Sequence, residues 1–175
     1  MKHTKRLLAA VMALSMVSAI APMSAFAVDD TVIKQDSTKQ SGDMTATYNV
    51  QAAYTVTIPA GVTLSDTESV TKDITADAGV MLESGQTIVV TLTEGSNTKT
   101  SGATEFSAKN EGGTSTAKYT ISAGGSVKGV GDTVATFSTK ATAQSATLTF
   151  SAATGATVAG EHTETLTFTI STPKA

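Results

Sequence analysis

A strict alternation of apolar and polar residues is the feature that most constrains this chain. It is clearest in Tyr54–Ile58, Ala146–Phe150 and Leu166–Ile170, where threonine occupies every second position. Successive side chains of a strand point to opposite faces of the sheet, and the β-branched threonine side chain suits a pleated surface. No window after residue 27 keeps helical spacing for long enough to predict a helix. The pattern therefore predicts an all-β protein in which each strand buries one face.

The predicted strands are separated by turn sequences rich in glycine, serine and acidic residues. They cover residues 31–35, 43–50, 53–59, 70–76, 86–93, 104–109, 116–122, 132–138, 145–151 and 162–170. Short strands at this spacing are typical of sandwiches and barrels. We predict one Ig-like antiparallel β-sandwich over residues 43–175.

The core is predicted from the apolar positions of these strands. Its expected aromatic members are Tyr48, Tyr54, Phe106, Tyr119, Phe137, Phe150 and Phe168, and its aliphatic members are Ile58, Val90, Leu92, Ile121, Leu148, Leu166 and Ile170.

The first 27 residues have the order of a signal peptide. A basic start is followed by an apolar run from Leu7 to Met23 and by Ala25-Phe26-Ala27, the small-x-small pattern that precedes cleavage. The apolar run is too short and wrongly flanked to remain as a membrane span. We predict that residues 1–27 are removed and that the protein is secreted, with an extracellular or cell-surface location and no stable membrane span.

The composition of residues 28–175 argues against several classes of function. The whole chain has 12 basic and 15 acidic residues, and residues 1–27 contain Lys2, Lys5 and Arg6, so 12 − 3 = 9 lysines remain against 15 acids. No arginine is left to clamp phosphate, so nucleic acid is not an expected partner. The absence of cysteine removes thiolate metal sites and cysteine catalysis.

Residues 28–42 are predicted to be a flexible N-terminal segment with a possible edge or donor strand. Within it, Thr31, Val32, Ile33 and Lys34 form a short strand-like run, followed by the polar stretch 35–42. Strand addition to another molecule would use the backbone hydrogen bonds of this run. Pairing of the run within its own domain is the alternative, since sequential strands are usually neighbours.

Residues capable of chemistry are sparse. His162 is the only histidine after residue 27, and we predict an ordinary rim histidine, with Glu161 and Glu164 pointing to the opposite face. The acidic residues lack the spacing of a calcium loop. Lys72, Lys109 and Lys118 are expected on outward faces rather than in crosslinks to asparagine. We assign no catalytic, cofactor-binding or metal-binding residue and predict no cofactor.

Two stretches resemble a known group of proteins. Tyr54-Thr-Val-Thr-Ile-Pro59 and Ala159-Gly-Glu-His-Thr-Glu-Thr-Leu-Thr-Phe-Thr-Ile170 look like segments of small secreted β-sandwich proteins of Gram-positive bacteria. That group is similar to WxL-type surface proteins and to camelysin-like subunits of biofilm matrix fibres. His162 stands where such proteins usually have tyrosine, and no Trp-x-Leu motif is present. The resemblance implies an Ig-like sandwich at the cell surface, without the peptidoglycan binding of WxL domains.

Together these features predict a non-enzymatic structural protein of the cell surface or extracellular matrix. One form of this expectation is a fibre subunit that assembles by strand addition, with self-association or other surface proteins as its partners. The alternative is an adhesin or ligand-binding module that recognises a glycan or a host protein through its loops.

Cleavage after Ala27 is directly testable. Intact-mass measurement of the exported protein is expected to give a chain that begins at Val28, because the small residues at Ala25 and Ala27 fit signal peptidase. Retention of residues 1–27 in the exported product would contradict the prediction.

Overall fold

The computed structural model of the protein describes residues 46–174, and within this range it is all-β with no helix. The strands are β1 (Val56–Thr57), β2 (Val70–Ala76), β3 (Ile88–Gly95), β4 (Glu105–Asn110), β5 (Thr116–Ala123), β6 (Ser126–Lys128), β7 (Thr133–Phe137), β8 (Gln144–Phe150), β9 (His162–Thr163) and β10 (Leu166–Ser171). All of their pairings are antiparallel. The all-β prediction is confirmed.

The strands form two sheets. The larger has the order β1-β2-β8-β5-β4-β9, with β6 paired to β5, and it curls into a half-barrel. The smaller has the order β10-β3-β7. The two parts of β5 pair with different strands. Residues 116–120 pair with β4, whereas 121–123 pair with β6 and β8.

Buried side chains from both sheets form one hydrophobic cluster. The smaller sheet contributes Ile88, Val90 and Leu92 of β3 and Phe137 of β7, each at most 2% exposed. The larger sheet contributes residues that include Phe106, which is fully buried. The alternating residues on the opposite strand faces are mostly threonine and serine and are half-buried or exposed.

A two-residue turn joins β5 to β6. Ala123 pairs with Ser126, and the intervening Gly124 and Gly125 have φ angles of 59° and 77°. Glycine adopts positive φ without a steric penalty, which is why a Gly-Gly pair fits this tight hairpin. The short strand β6 was missed by the sequence analysis.

The last predicted strand, 162–170, is in fact two strands in different sheets. His162 and Thr163 pair with β4 of the larger sheet, whereas 166–171 pair with β3 of the smaller. The chain changes sheets over Glu164 and Thr165, although the alternation of burial runs through the change without a break. A periodic pattern records which way side chains point, not which strand is the partner, so it does not reveal this division.

The start of the described chain also differs from expectation. Residues 46–50, part of the predicted strand 43–50, have no regular secondary structure, and the expected core residue Tyr48 is 90% exposed. The predicted strand 53–59 shrinks to β1, with an isolated bridge from Ala53 to Met81, and Tyr54 is 37% exposed. Alternation is necessary for a half-buried strand, but it does not supply a partner strand.

The other expected core residues are buried or half-buried. Those that pack against the core while remaining half-buried are Ile58, Leu166, Phe168 and Ile170. Three of these four belong to β10. The sequence analysis correctly expected the apolar side chains of the last strand to face the core, but it expected them to be more deeply buried than they are.

By its internal contacts the chain divides into two units. Every strand lies in the unit that includes residues 52–175, and the described part of the other unit is 46–51. The predicted signal peptide, the segment 28–42 and the run Thr31–Lys34 lie outside the described residues. Among residues 46–174, no helix has the length and apolarity needed to cross a membrane.

Phe106 and Thr167 provide a test of the two strand faces. Phe106→Ala is expected to lower the free energy of unfolding by about 3–5 kcal/mol, since it empties a fully buried site. Thr167→Ala, on the exposed face of β10, is expected to change it by less than about 0.5 kcal/mol. Urea denaturation of both variants measures the difference, and similar losses would contradict the assignment of faces.

Candidate functional site: the groove beside β10

An apolar groove of about 700 Å³ opens next to β10. It is lined by Leu166 and Phe168 of β10, by residues 58–66 between β1 and β2, and by Leu148 and Phe150 of β8. Leu148 and Phe150 are buried core residues, so the groove reaches the hydrophobic core itself. Its volume falls within the range of about 300–1,000 Å³ typical of binding sites.

One edge of β10, the strand whose Leu166 and Phe168 side chains line this groove, has no partner strand among residues 46–174. Within the described residues, β10 pairs with β3 on one side and with no strand on the other. An unpaired edge presents backbone N–H and C=O groups that can accept another strand. The inward side chains of β10 at 166, 168 and 170 are only half-buried, as expected for a strand with cover on one side.

The other edge strand of the smaller sheet, β7, is different. Its residues Val134, Ala135 and Phe137 are all 5% exposed or less. The incomplete burial in the smaller sheet is therefore concentrated at β10.

The carboxylate of Glu164 lies where the chain leaves β9 and enters β10. Its Oε2 accepts hydrogen bonds from the Ser107 backbone N–H at 2.8 Å and from the Tyr119 hydroxyl at 3.0 Å. Its Oε1 accepts one from the Asn97 backbone N–H at 3.3 Å. Through these bonds one side chain connects the end of β3 with β4 and β5, and so links the two sheets.

Gly95 makes room for this carboxylate. A Cβ atom built on Gly95 would overlap Oε1 of Glu164 and come within 3.3 Å of Thr98 Cβ. The same junction is held by bonds from Ser96, whose backbone N–H donates to Thr165 O at 2.8 Å and whose hydroxyl accepts from Thr165 N–H at 3.0 Å. The junction thus depends on a residue without a side chain at position 95.

Tyr119 connects the Glu164 carboxylate to the aromatic core. Its ring lies 5.8 Å from that of Phe106 and 6.3 Å from that of Phe150, measured between centroids. Burial, together with the charge and hydrogen bond of Glu164, raises the pKa of Tyr119 well above its ordinary value. The phenol therefore remains a hydrogen-bond donor to Glu164 across the physiological pH range.

A second polar cluster surrounds Ser115, which is 2% exposed. Its hydroxyl lies 2.8 Å from His162 Nε2 and accepts the backbone N–H groups of Thr157 at 2.8 Å and Val158 at 3.2 Å. His162 Nδ1 lies 3.1 Å from the carbonyl oxygen of Gly160. A hydroxyl buried and saturated in this way lacks the exposed lone pair of a serine nucleophile, so the pair fits a structural role.

The geometry corrects one sequence-based expectation. We expected Glu161 and Glu164 to point away from His162, but Glu164 is half-buried on the same inward face, because the two residues are two positions apart on an alternating segment. Only Glu161 is exposed. The two-residue spacing from His162 was enough to predict that Glu164 faces inward. Nothing in the sequence indicated that the side chains of His162 and Glu164 would contact Ser115, Tyr119 and Ser107.

The remaining candidates stay at the surface. Lys72, Lys109 and Lys118 are exposed as expected, and Lys118 forms an ion pair of 2.6 Å with Glu105. In the described part of the chain, no group of three histidine, aspartate or glutamate residues lies close enough to hold a metal ion.

Comparisons of this chain with protein families, curated proteins and solved structures gave no match.

Glu164 can be tested against its neighbour Glu161. Glu164→Ala is expected to lower the free energy of unfolding by about 1–3 kcal/mol, because the Ser107 N–H and the Tyr119 hydroxyl lose their acceptor. Glu161→Ala removes an equal charge from an exposed position and is expected to change stability by less than about 0.5 kcal/mol. Urea denaturation at neutral pH compares them, and equal effects would show that Glu164 does not link the sheets.

Proposed function

We propose that this protein is an exported, non-enzymatic structural subunit of the cell surface or extracellular matrix, which self-associates by adding a strand to β10. The observation that carries the proposal is the coincidence of an unpaired strand edge, a row of half-buried apolar side chains and a groove that reaches the core. The signal-peptide pattern of residues 1–27 supports export.

The Ig-like fold is also part of this proposal. We take the two antiparallel sheets around one hydrophobic cluster as an Ig-like sandwich that is incomplete beside β10. An incoming strand would pair with the edge of β10 and bury Leu166, Phe168 and Ile170 further. This is strand addition to a sheet edge, in which backbone hydrogen bonds supply affinity and alternate side chains fill pockets.

The sequence of β10 is suited to accept a strand. Natural edge strands are usually protected by charged residues, proline or a covering segment. Leu166–Ser171 contains no charged residue and no proline. The strand therefore lacks two of these three forms of protection, at the place where apolar side chains remain half-buried.

The proposed donor is Thr31–Lys34 of a second copy of this chain. Either Val32 or Ile33 would point into the apolar groove, depending on the register of the strand. Of the charged residues that line the groove, Asp66, Glu161 and Glu164 are acidic and Lys72 is basic, so the excess of acids suits the positive charge of Lys34. Eleven residues, 35–45, separate Lys34 from Ala46, a length that spans at most roughly 40 Å when extended and can reach a neighbouring molecule.

The experiment uses the exported protein with paired substitutions in the donor run. Wild type is expected to polymerise on concentration, as seen by light scattering and electron microscopy. Val32→Asp with Ile33→Asp is expected to leave a folded monomer, because in either register one of the two charges would have to be buried against the apolar part of the groove. Ser37→Asp with Thr38→Asp adds the same charge outside the run and is expected to polymerise as wild type does.

A mixing experiment identifies the acceptor. Phe168→Asp, folded by circular dichroism, is expected to block the groove while leaving its donor run intact. Mixed with the donor variant, it should give dimers that do not grow, since each partner retains one half of the contact.

Wild type that stays monomeric at all concentrations contradicts assembly and favours a ligand-binding module or adhesin. Unfolding of the donor variant places the run in its own domain.

A further inference from the structure

The loop between β8 and β9 forms part of the wall of the groove. Its start is held by backbone bonds between Thr154 and Lys118 and between Ala153 and Ser65, and beyond Thr154 a single hydroxyl binds two of its amides. Ala156 and Gly160 of this loop line the groove. The Thr157 and Val158 amides are bound to Ser115 Oγ, in the turn that joins β4 to β5. This hydroxyl therefore connects the wall of the groove to the rest of the fold.

The hydrogen bonds around Ser115 are compatible with only one protonation state of His162. A serine hydroxyl has one proton and two lone pairs. Both lone pairs are occupied by the Thr157 and Val158 N–H groups, so the hydroxyl proton must point to His162 Nε2. Nε2 is then the unprotonated nitrogen, and Nδ1–H donates to Gly160 O. All four hydrogen bonds form together only when the imidazole is neutral and carries its proton on Nδ1.

We propose that His162 and Ser115 form a proton-sensitive latch that holds the loop 155–160 against the fold when the imidazole is neutral and releases it when the imidazole is protonated. The imidazolium carries N–H on both nitrogens, so Nε2–H faces an oxygen that has no lone pair left. Ser115 must then give up one of its two amide bonds. Histidine is the side chain whose charge changes within the range of about pH 5 to 8.

Few charged groups lie near His162. On its own segment these are Glu161 and Glu164, and on the neighbouring strand β4 and the turn after it they are Lys109 and Glu111. The loop 155–160 contains no charged residue. Asp66 and Lys72 line the same groove as His162. Four of these six groups are acids, so the hydrogen-bond arrangement, rather than repulsion by nearby cations, is what protonation disturbs.

The consequence for the groove rests on the proposed strand addition. A released loop would free Ala156 and Gly160 from the groove lining, so acidification would change access for an incoming strand. The latch itself does not require assembly. It can be tested on monomeric protein, and its failure is distinguishable from failure of the proposed function.

The test is amide hydrogen exchange by NMR, at a protein concentration at which light scattering shows a monomer, at about pH 7.5 and about pH 5, with each rate corrected for its intrinsic pH dependence. Protection of the Thr157 and Val158 amides is expected to fall roughly five- to tenfold at the lower pH, the equivalent of one lost hydrogen bond. The Ser151 amide, bonded to Thr120 O at 3.0 Å, is the internal reference and should keep its protection.

His162→Gln is the matched control. A glutamine oxygen can accept the Ser115 proton and its amide nitrogen can donate to Gly160 O, so the neutral arrangement is retained without a titrating group. In this variant the protection of Thr157 and Val158 is expected to be the same at both pH values. Ser115→Ala should abolish it at both. Unchanged protection in the wild type on acidification, or an equal fall in His162→Gln, would overturn the latch.

Discussion

The last part of the chain changes from the larger sheet to the smaller one, and the Glu164 carboxylate makes this change possible. A strand that leaves its partner exposes backbone donors, and an unsatisfied buried donor destabilises the fold by about 1–3 kcal/mol. Glu164 accepts the N–H groups of Asn97 and Ser107 together with the Tyr119 hydroxyl. Gly95 permits the approach, because any side chain there would occupy the same space.

The position of β10 follows from that junction. Once the chain enters the smaller sheet, β10 pairs with β3 and becomes an edge strand. Its inward face continues the series His162, Glu164, Leu166, Phe168 and Ile170, which is polar beside the junction and apolar beyond it. One continuous face thus contains the polar residues that fix the junction and the apolar residues that line the open groove.

The larger sheet and the loop before β9 are connected by a different kind of polar contact. Ser115 is neutral and saturated, whereas Glu164 is charged and receives charge-assisted bonds, which are the stronger class. Loss of an amide bond at Ser115 would free a loop that is exposed from Thr154 to Gly160. Loss of Glu164 would instead affect the connection between the sheets. The Ser115 cluster therefore holds a loop and the Glu164 cluster holds the two sheets together, although His162 and Glu164 are only two residues apart in the chain.

The sequence by itself determined the all-β class, the approximate position of most strands between 70 and 171, and the direction in which their side chains point. Alternation is a local property of the chain, so it can be observed without knowing the fold. Partners are not local. Three features depend on residues far apart in sequence: the division of 162–170 between two sheets, the absence of regular secondary structure in 46–50, and the assembly of Glu164, Tyr119 and Ser107. Only the tertiary structure decided these, because the groove and both polar clusters arise from how strands meet.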